Sequence, residues 1–359
     1  EEKLEFLDSH YLSAFDSLVI DSEIRDQEAF AQVKDIQKSY PVSEDEGEED
    51  NTYLSYNMVV GEAADINLSL AFEVLDYALL SAPGAPLKQA LLDAKIGKDI
   101  YGSFEDGIKQ TYFSIVAKGA NLSRKEEFIK VIRDTLTKIA EEGIDKKAVT
   151  AGINYYEFRF READFSSYPK GLMYGLDILS SWLYDDTKPF CEVQLLEGFE
   201  FLKKALEEGY FEELIRKYLL DNTHGAVLSL VPEKGLAAKR DKELEEKLEN
   251  YRKSLSDEEL TRMVEHTKAL EAYQEAEEAP EALTCIPMLS REDIKKKITG
   301  LTNEEHHVED SLFLYHDVCT NGIGYADLFF EIHDFDVDTV HYLGLLKSVL
   351  GAVDTENYT

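Results

Sequence analysis

The stretch Thr52-Tyr53-Leu54-Ser55-Tyr56-Asn57-Met58-Val59-Val60 places Leu54, Tyr56, Met58 and Val60 at alternate positions. A period of two is that of a half-buried strand, so a strand is predicted over 52–60. Asp65 then stands where a helix N-cap belongs. The apolar run ending Val74-Leu75-Asp76-Tyr77-Ala78-Leu79-Leu80 predicts a helix that Pro83-Gly84 stops. The same order of strand, short polar loop and apolar helix recurs over 325–350, with Leu343-Gly344-Leu345-Leu346 in its helix. Two copies of one unit predict a duplicated domain whose second copy stops after its first helix.

Between the copies the chain divides further. Residues 1–40 carry a short helical pattern (Leu4, Leu7, Leu12, Phe15) and then an extended stretch ending at Tyr40-Pro41. The acidic run 44–50 reads as a solvated loop, because like charges repel and Gly47 breaks a helix; the competing reading is a docking patch for a basic peptide. A second strand is predicted over 112–118. Ser123 and Glu126 are spaced as a capping box for a helix with Phe128, Val131, Ile132, Leu136 and Ile139 inward, ended by Gly143. Asp145 caps another running to about Phe165, helices follow near 171–184, 194–207 and 211–220, and a strand over 226–231 closes the region at Pro232. The class is α+β, helices on a mostly antiparallel sheet. Residues 236–283 are dense in both charge signs, lack Gly and keep Pro only at 280. Leu244, Leu248, Tyr251 and Leu255 form one stripe, Ser256 with Glu259 opens a second helix, and Leu260, Met263, Val264 and Leu270 continue it. This predicts an αα-hairpin packing against the adjoining domains rather than a foreign partner. Beyond it, strands are expected at 312–318 and 323–332 and a helix at 337–350.

Composition limits the function. The chain has 359 residues, 38 Lys+Arg against 73 Asp+Glu and a net charge of -35. Nucleic acid is excluded as a partner by the lack of cations for phosphates, and a membrane span by the lack of any long uncharged apolar run. Cys191, Cys285 and Cys319 lie too far apart for a disulfide framework, which fits a reducing compartment. The chain begins at Glu1 without a leader, and both ends read as cut from something longer.

Catalytic motifs are scarce. His306-His307-Val308-Glu309-Asp310 matches His-x-x-Glu-His except at its last position. That motif needs two histidines on one helical face. Here the segment precedes a strand, so His306, His307 and Glu309 read as a chance loop match rather than a metal site. His10, His224, His266, His316, His333 and His341 are not paired at ligand spacing, and no nucleophile elbow or phosphate loop occurs. One cluster stands out, Tyr155-Tyr156-Glu157-Phe158-Arg159-Phe160-Arg161-Glu162, where Glu157 and Arg161 share a helix face. It reads as a salt-bridged face or as a surface holding an extended peptide.

Several ordered segments resemble the presequence-protease-like branch of the insulinase/pitrilysin metallopeptidase family. They are Tyr-Leu-Leu-Asp-Asn-Thr-His (218–224), Glu-Phe-Arg-Phe-Arg-Glu (157–162), Ser-Leu-Ser-Asp-Glu-Glu-Leu (254–260) and Thr-Asn-Gly-Ile (320–323). The strings at 4–7, 22–24, 85–87, 168–172 and 281–294 fit the same branch, so the resemblance spans nearly the whole chain. It implies four related domains closing around a chamber that admits unfolded peptides. On that template residues 1–20 are the tail of a first, catalytic domain, 21–235 a second and non-catalytic domain, 236–283 the hairpin linker and 284–359 the start of a third. The family's zinc motif belongs to the first domain, so the resemblance implies zinc in the parent and no cofactor or catalytic residue here. Arg159, Arg161, Glu162 and Asn321 remain as candidate peptide-binding or structural residues. The function expected is a non-catalytic segment of a zinc metalloendopeptidase, supplying chamber wall, hinge and peptide contacts. Its partners are the remaining domains of the same polypeptide and unfolded peptides, with the acidic surface favouring basic ones. The alternative is a stand-alone inactive binding or assembly module. The compartment expected is the cytoplasm, with an organellar matrix as the alternative.

Overall fold

The computed structural model describes residues 1–359 except 20, 287, 298, 299, 301, 302, 334, 354 and 357–359. In chain order its elements are α1 (Glu2–His10), β1 (Lys34–Val42), β2 (Thr52–Glu62), α2 (Ile66–Asp76), α3 (Pro86–Asp93), β3 (Asp99–Glu105) and β4 (Gln110–Ala120). Then come α4 (Lys125–Glu142), α5 (Lys146–Glu162), α6 (Lys170–Trp182), α7 (Leu196–Ala205), α8 (Tyr210–Leu214), β5 (Gly225–Lys234), α9 (Leu236–Ser254) and α10 (Asp257–Glu275). The last are α11 (Pro280–Leu283), β6 (Glu304–Val308), β7 (Ser311–Tyr315) and α12 (Val337–Val349). Five strands form one sheet in the order β1-β5-β2-β4-β3, parallel between β1 and β5 and antiparallel elsewhere. The α+β class with a mostly antiparallel sheet is therefore observed.

Alternation on β2 works as its sequence requires: Leu54, Tyr56, Met58 and Val60 are all buried on the helix-covered face. The Asp65 side chain accepts from the Leu68 N–H at 3.2 Å and starts α2. That helix is apolar nearly all round, with Leu68, Leu70, Ala71, Phe72, Val74 and Leu75 buried, and it continues into a π-helical turn, Tyr77–Ser81. A helix without a polar face must be wrapped. The sheet lies beneath it, while α5 and α7 cross it closely at Gly152, against Val74 and Tyr77, and at Gly198, against Leu70 and Asn67. Phe72 stacks on Phe104 at 5.8 Å and meets Tyr218 edge-on at 5.7 Å, and the Tyr56 hydroxyl donates to the Leu219 carbonyl at 2.9 Å. The other sheet face carries Ser103, Ser114 and Asn57 in one cross-strand row, with Ser114 Oγ donating to Asn57 Oδ1 at 2.7 Å.

Several expectations need correction. The Ser123–Glu126 capping box does not form, because a 3₁₀ turn over Leu122–Arg124 delays the helix and makes Arg124 its N-cap, with Arg124 pairing to Glu127 at 2.6 Å. The strand expected to close at Pro232 runs on to Lys234. There β2 no longer pairs with it, so the missing proline N–H costs no bond on that side. Residues 323–332 form no strand: no other strand lies alongside to share hydrogen bonds, and Leu328, Phe329 and Phe330 are at least 80% exposed. Residues 304–308, read as a loop, are a strand paired with β7. The hairpin helices form, with both halves of the Ser256–Glu259 capping box present. Their stripe is about half exposed, however, so the preceding domain does not bury it. β3 and α3 were not anticipated.

Truncating the wrapped helix should be costly. Phe72→Ala is expected to lower unfolding free energy by about 3–5 kcal/mol, read as a reduced urea midpoint, whereas Phe329→Ser on the exposed segment should leave that midpoint within about 0.5 kcal/mol of wild type.

Candidate functional site

Asp145 starts α5 by accepting from the N–H groups of Lys147 (2.8 Å) and Ala148 (3.3 Å), and Ala163 ends it in the left-handed region at φ 49. Its last two turns carry two different surfaces. On one, Glu157 accepts from Arg161 Nη2 at 2.7 Å and from Lys203 Nζ at 2.7 Å. Burial works to raise the Glu157 pKa, but the hydrogen bonds from Lys203 and Arg161 outweigh it and carry the carboxyl below its ordinary value. The same end of the helix receives the segment after β7. Asn321 Nδ2 donates to the Arg161 carbonyl at 3.0 Å, and the Tyr325 hydroxyl donates to Glu162 Oε1 at 2.9 Å. Asn321 and Gly322 make this turn in the left-handed region, at φ 54 and 84. Thus Arg161, Glu162 and Asn321, separated by 160 positions, are brought together. Arg159 is not among them: it leans the other way, over the Tyr155 ring at 5.7 Å, with Nη1 donating to the Tyr155 hydroxyl at 3.3 Å.

Arg159 instead faces a group of acids that the sequence reading did not single out. Glu73 lies on α2, Asp106 in the β3–β4 turn, Asp177 on α6 and Glu192 in a 3₁₀ turn, Cys191–Val193, that Ser181 of α6 meets through a 3.1 Å contact with Cys191 Sγ. Burial first, then the neighbouring Asp106 and Glu192, push the Glu73 pKa up to about 8, with Arg159 pulling against them. Burial and Asp106 push Glu192 up to about 7. Burial also raises Asp76, Asp106 and Asp177, and it raises the Tyr156 phenol, helped by Glu73 and Asp76. Asp76 packs over Gly102 of β3, where any Cβ would collide with its Oδ1, and that oxygen is buried without a hydrogen-bond partner. The signal that could have found this pocket was a Glu and an Asp on a helix with no polar face to hold them.

Among the described residues no group of three His, Cys, Asp or Glu is placed to hold a metal ion. His306 and His307 are neighbours on β6, opposite Phe313 and Leu312, so they point to opposite faces of the hairpin. Glu309 lies beyond them in the turn at φ 53. No described helix is long and apolar enough to cross a membrane.

Residues 3–156 match the family model described as Peptidase M16 inactive domain, and residues 230–359 match a second model, described as the region associated with subfamily C of the same peptidases. The chain is 42% identical over 358 residues to Protein HypA of Clostridium perfringens, covering 100% of this chain and 37% of that protein. It is 31% identical over 359 residues to Presequence protease 1, chloroplastic/mitochondrial, of Arabidopsis thaliana, covering 98% of this chain and 33% of that one. A solved protease from Helicobacter pylori aligns with a TM-score of 0.47 and 16% identity over 64% of this chain and 52% of that one. The chain therefore spans little more than a third of the length of the curated relatives it matches.

Two measurements check the site. Between the unfolded carboxyl value of about 4.3 and the folded value of about 8, the native state keeps a proton on Glu73 that the unfolded chain has released. Stability should therefore fall as pH rises from about 5 to about 8, by an amount on the order of a few kcal/mol at most. Glu192 adds to the loss below about pH 7. Urea midpoints at about pH 6 and about pH 8 should show this fall and should show it largely removed in Glu73→Gln; a midpoint that rises with pH would contradict the assignment. Separately, Asn321→Gly keeps the turn but deletes the side-chain bond to α5. Faster amide hydrogen exchange is expected at 320–325, with exchange in β2 and α2 unchanged.

Proposed function

We propose, for a chain that belongs to the insulinase-type M16 peptidase family in its presequence-protease-like branch, that it builds part of the wall of a peptide-degrading chamber. It is a non-catalytic part of an M16 peptidase, and the match of residues 3–156 to the inactive-domain model is the observation that carries this. The proposed layout places residues 1–20 as the tail of a catalytic domain, 21–235 as the inactive domain, 236–283 as the linker and 284–359 as the start of a further domain. The uncovered sheet face, with its row of Ser103, Ser114 and Asn57, supports the role of wall, since hydroxyl and amide groups can meet peptide backbone whatever its sequence. The hairpin α9–α10, its stripe half exposed, supports a role as the hinge on which the halves of the longer protein close.

Peptide contact is assigned to the end of α5 and the acids beside it, and the net charge of -35 favours basic, unfolded peptides at low ionic strength. Zinc chemistry is assigned to the catalytic domain of the longer protein, where the metal would activate water. The donor set of this chain does not fit that ion, since the described residues bring no three ligands together. The other domains of the same polypeptide are the proposed partners. The cytoplasm is the proposed compartment, with an organellar matrix as the alternative suggested by the name of the Arabidopsis relative.

Incubating the purified chain with zinc and a quenched fluorescent basic peptide tests the reading. No cleavage above buffer is expected, and His306→Ala with His307→Ala should leave zinc uptake unchanged. Stoichiometric, chelator-sensitive cleavage would overturn the non-catalytic assignment and move the metal chemistry into this chain.

A further inference from the structure

We propose that the pocket between α2, α5, α6 and the Cys191–Val193 turn is a binding site for a basic side chain, arginine or lysine, of a peptide held against this segment. The proposal rests on the peptide-contact reading above and names the chemistry of one subsite within it.

Four carboxylates converge there from four separate elements: Glu73, Asp106, Asp177 and Glu192. Among the described residues Arg159 is the cation that offsets Glu73, and it is partly committed to the Tyr155 ring and hydroxyl. Glu73 itself is deeply buried and makes no hydrogen bond or ion pair with any described residue, and beside it Asp76 Oδ1 is buried without a partner. Burying acceptors with nothing to accept from costs free energy, and a site completed by a donor from outside removes that cost. The spacing selects the donor. The carboxylates are too far apart for three of them to reach one metal ion, whereas a guanidinium offers five N–H groups on a rigid fork, and a lysine three on a long stem.

The neighbouring helix provides for the rest of the peptide. α6 carries Asp177 towards the pocket, while Leu172, Leu176, Leu179 and Leu183 form an exposed stripe at helical spacing. A peptide with basic and apolar residues close together meets complementary surfaces at both. Charge complementarity also fixes a thermodynamic signature. Glu73 holds its proton near neutral pH in the empty pocket, so an arriving cation must drive that proton off, and binding is coupled to proton release.

The test uses the 359-residue chain and two fluorescein-labelled peptides of leucine and arginine, identical except that citrulline, a neutral isostere, replaces arginine in the second. Titration calorimetry at about pH 7.5 is run in phosphate and in Tris, which differ in ionisation enthalpy and so count protons. The arginine peptide is expected to bind about tenfold or more tightly than the citrulline peptide and to release protons. Glu73→Gln should abolish the proton release and remove most of the arginine preference while leaving citrulline-peptide binding intact; Glu192→Gln should weaken the preference. Glu258→Gln, on the exposed hairpin, should change nothing. Equal binding of both peptides without proton release would overturn this site and leave peptide contact standing. Binding of neither would overturn both. Loss of the preference in Glu258→Gln to the same degree would attribute it to the general acidic field and overturn the site.

Discussion

Everything in the first 235 residues follows from the need to wrap α2. Its apolar residues point in every direction, so no arrangement that leaves one side in water is stable. The sheet covers one side and α5 and α7 the other, admitted by Gly152 and Gly198, whose missing side chains let the helix axes approach. Two carboxylates ride on that helix, and wrapping it carries them inside. The pocket around Glu73 is thus a by-product of how the core closes, kept tolerable because one acid stays protonated and its neighbours share the rest of the burden.

The sequence was legible where one element's pattern decides its own fate. Alternation on β2, the Asp65 and Asp145 caps and the Ser256 capping box all act within a few residues, and each is present. It was illegible where a partner far along the chain decides. β3 is an edge strand with Gly102 and Ser103 at its centre, and its strand character comes from pairing to β4. Residues 323–332 have the reverse character, strand-forming by composition yet without a neighbour to pair with. The Ser123 box failed for a local reason, a 3₁₀ turn that took the same residues.

The site divides the same way. Glu157 with Arg161 could be read from an i,i+4 spacing, and both are found paired. That Asn321 would reach the carbonyl of Arg161 could not be read, since a side chain meeting backbone across 160 positions leaves no pattern in either string. Arg159 was singled out for its place beside Arg161, but a helix turns about 100° per residue, so positions two apart face different ways. The two arginines consequently serve different surfaces, one joined to Lys203 and the segment near 321, the other turned towards the buried acids. α5 is in effect the partition between a structural joint and a charged pocket.

The parallel pairing of β1 with β5 has a mechanical meaning. The register runs from Lys34 opposite Ala226 to Val42 opposite Lys234, so the chain enters the sheet at one end of this pair and leaves it for α9 at the other, about 30 Å away. Tension applied along the polypeptide would load the two strands in shear, stressing all the rungs between them together, whereas an antiparallel pair pulled from one end would unzip rung by rung. The sheet is therefore a stiff tie between the segment before β1 and the helical hairpin after β5. Strain arising on one side reaches the other with little of it absorbed as stretch.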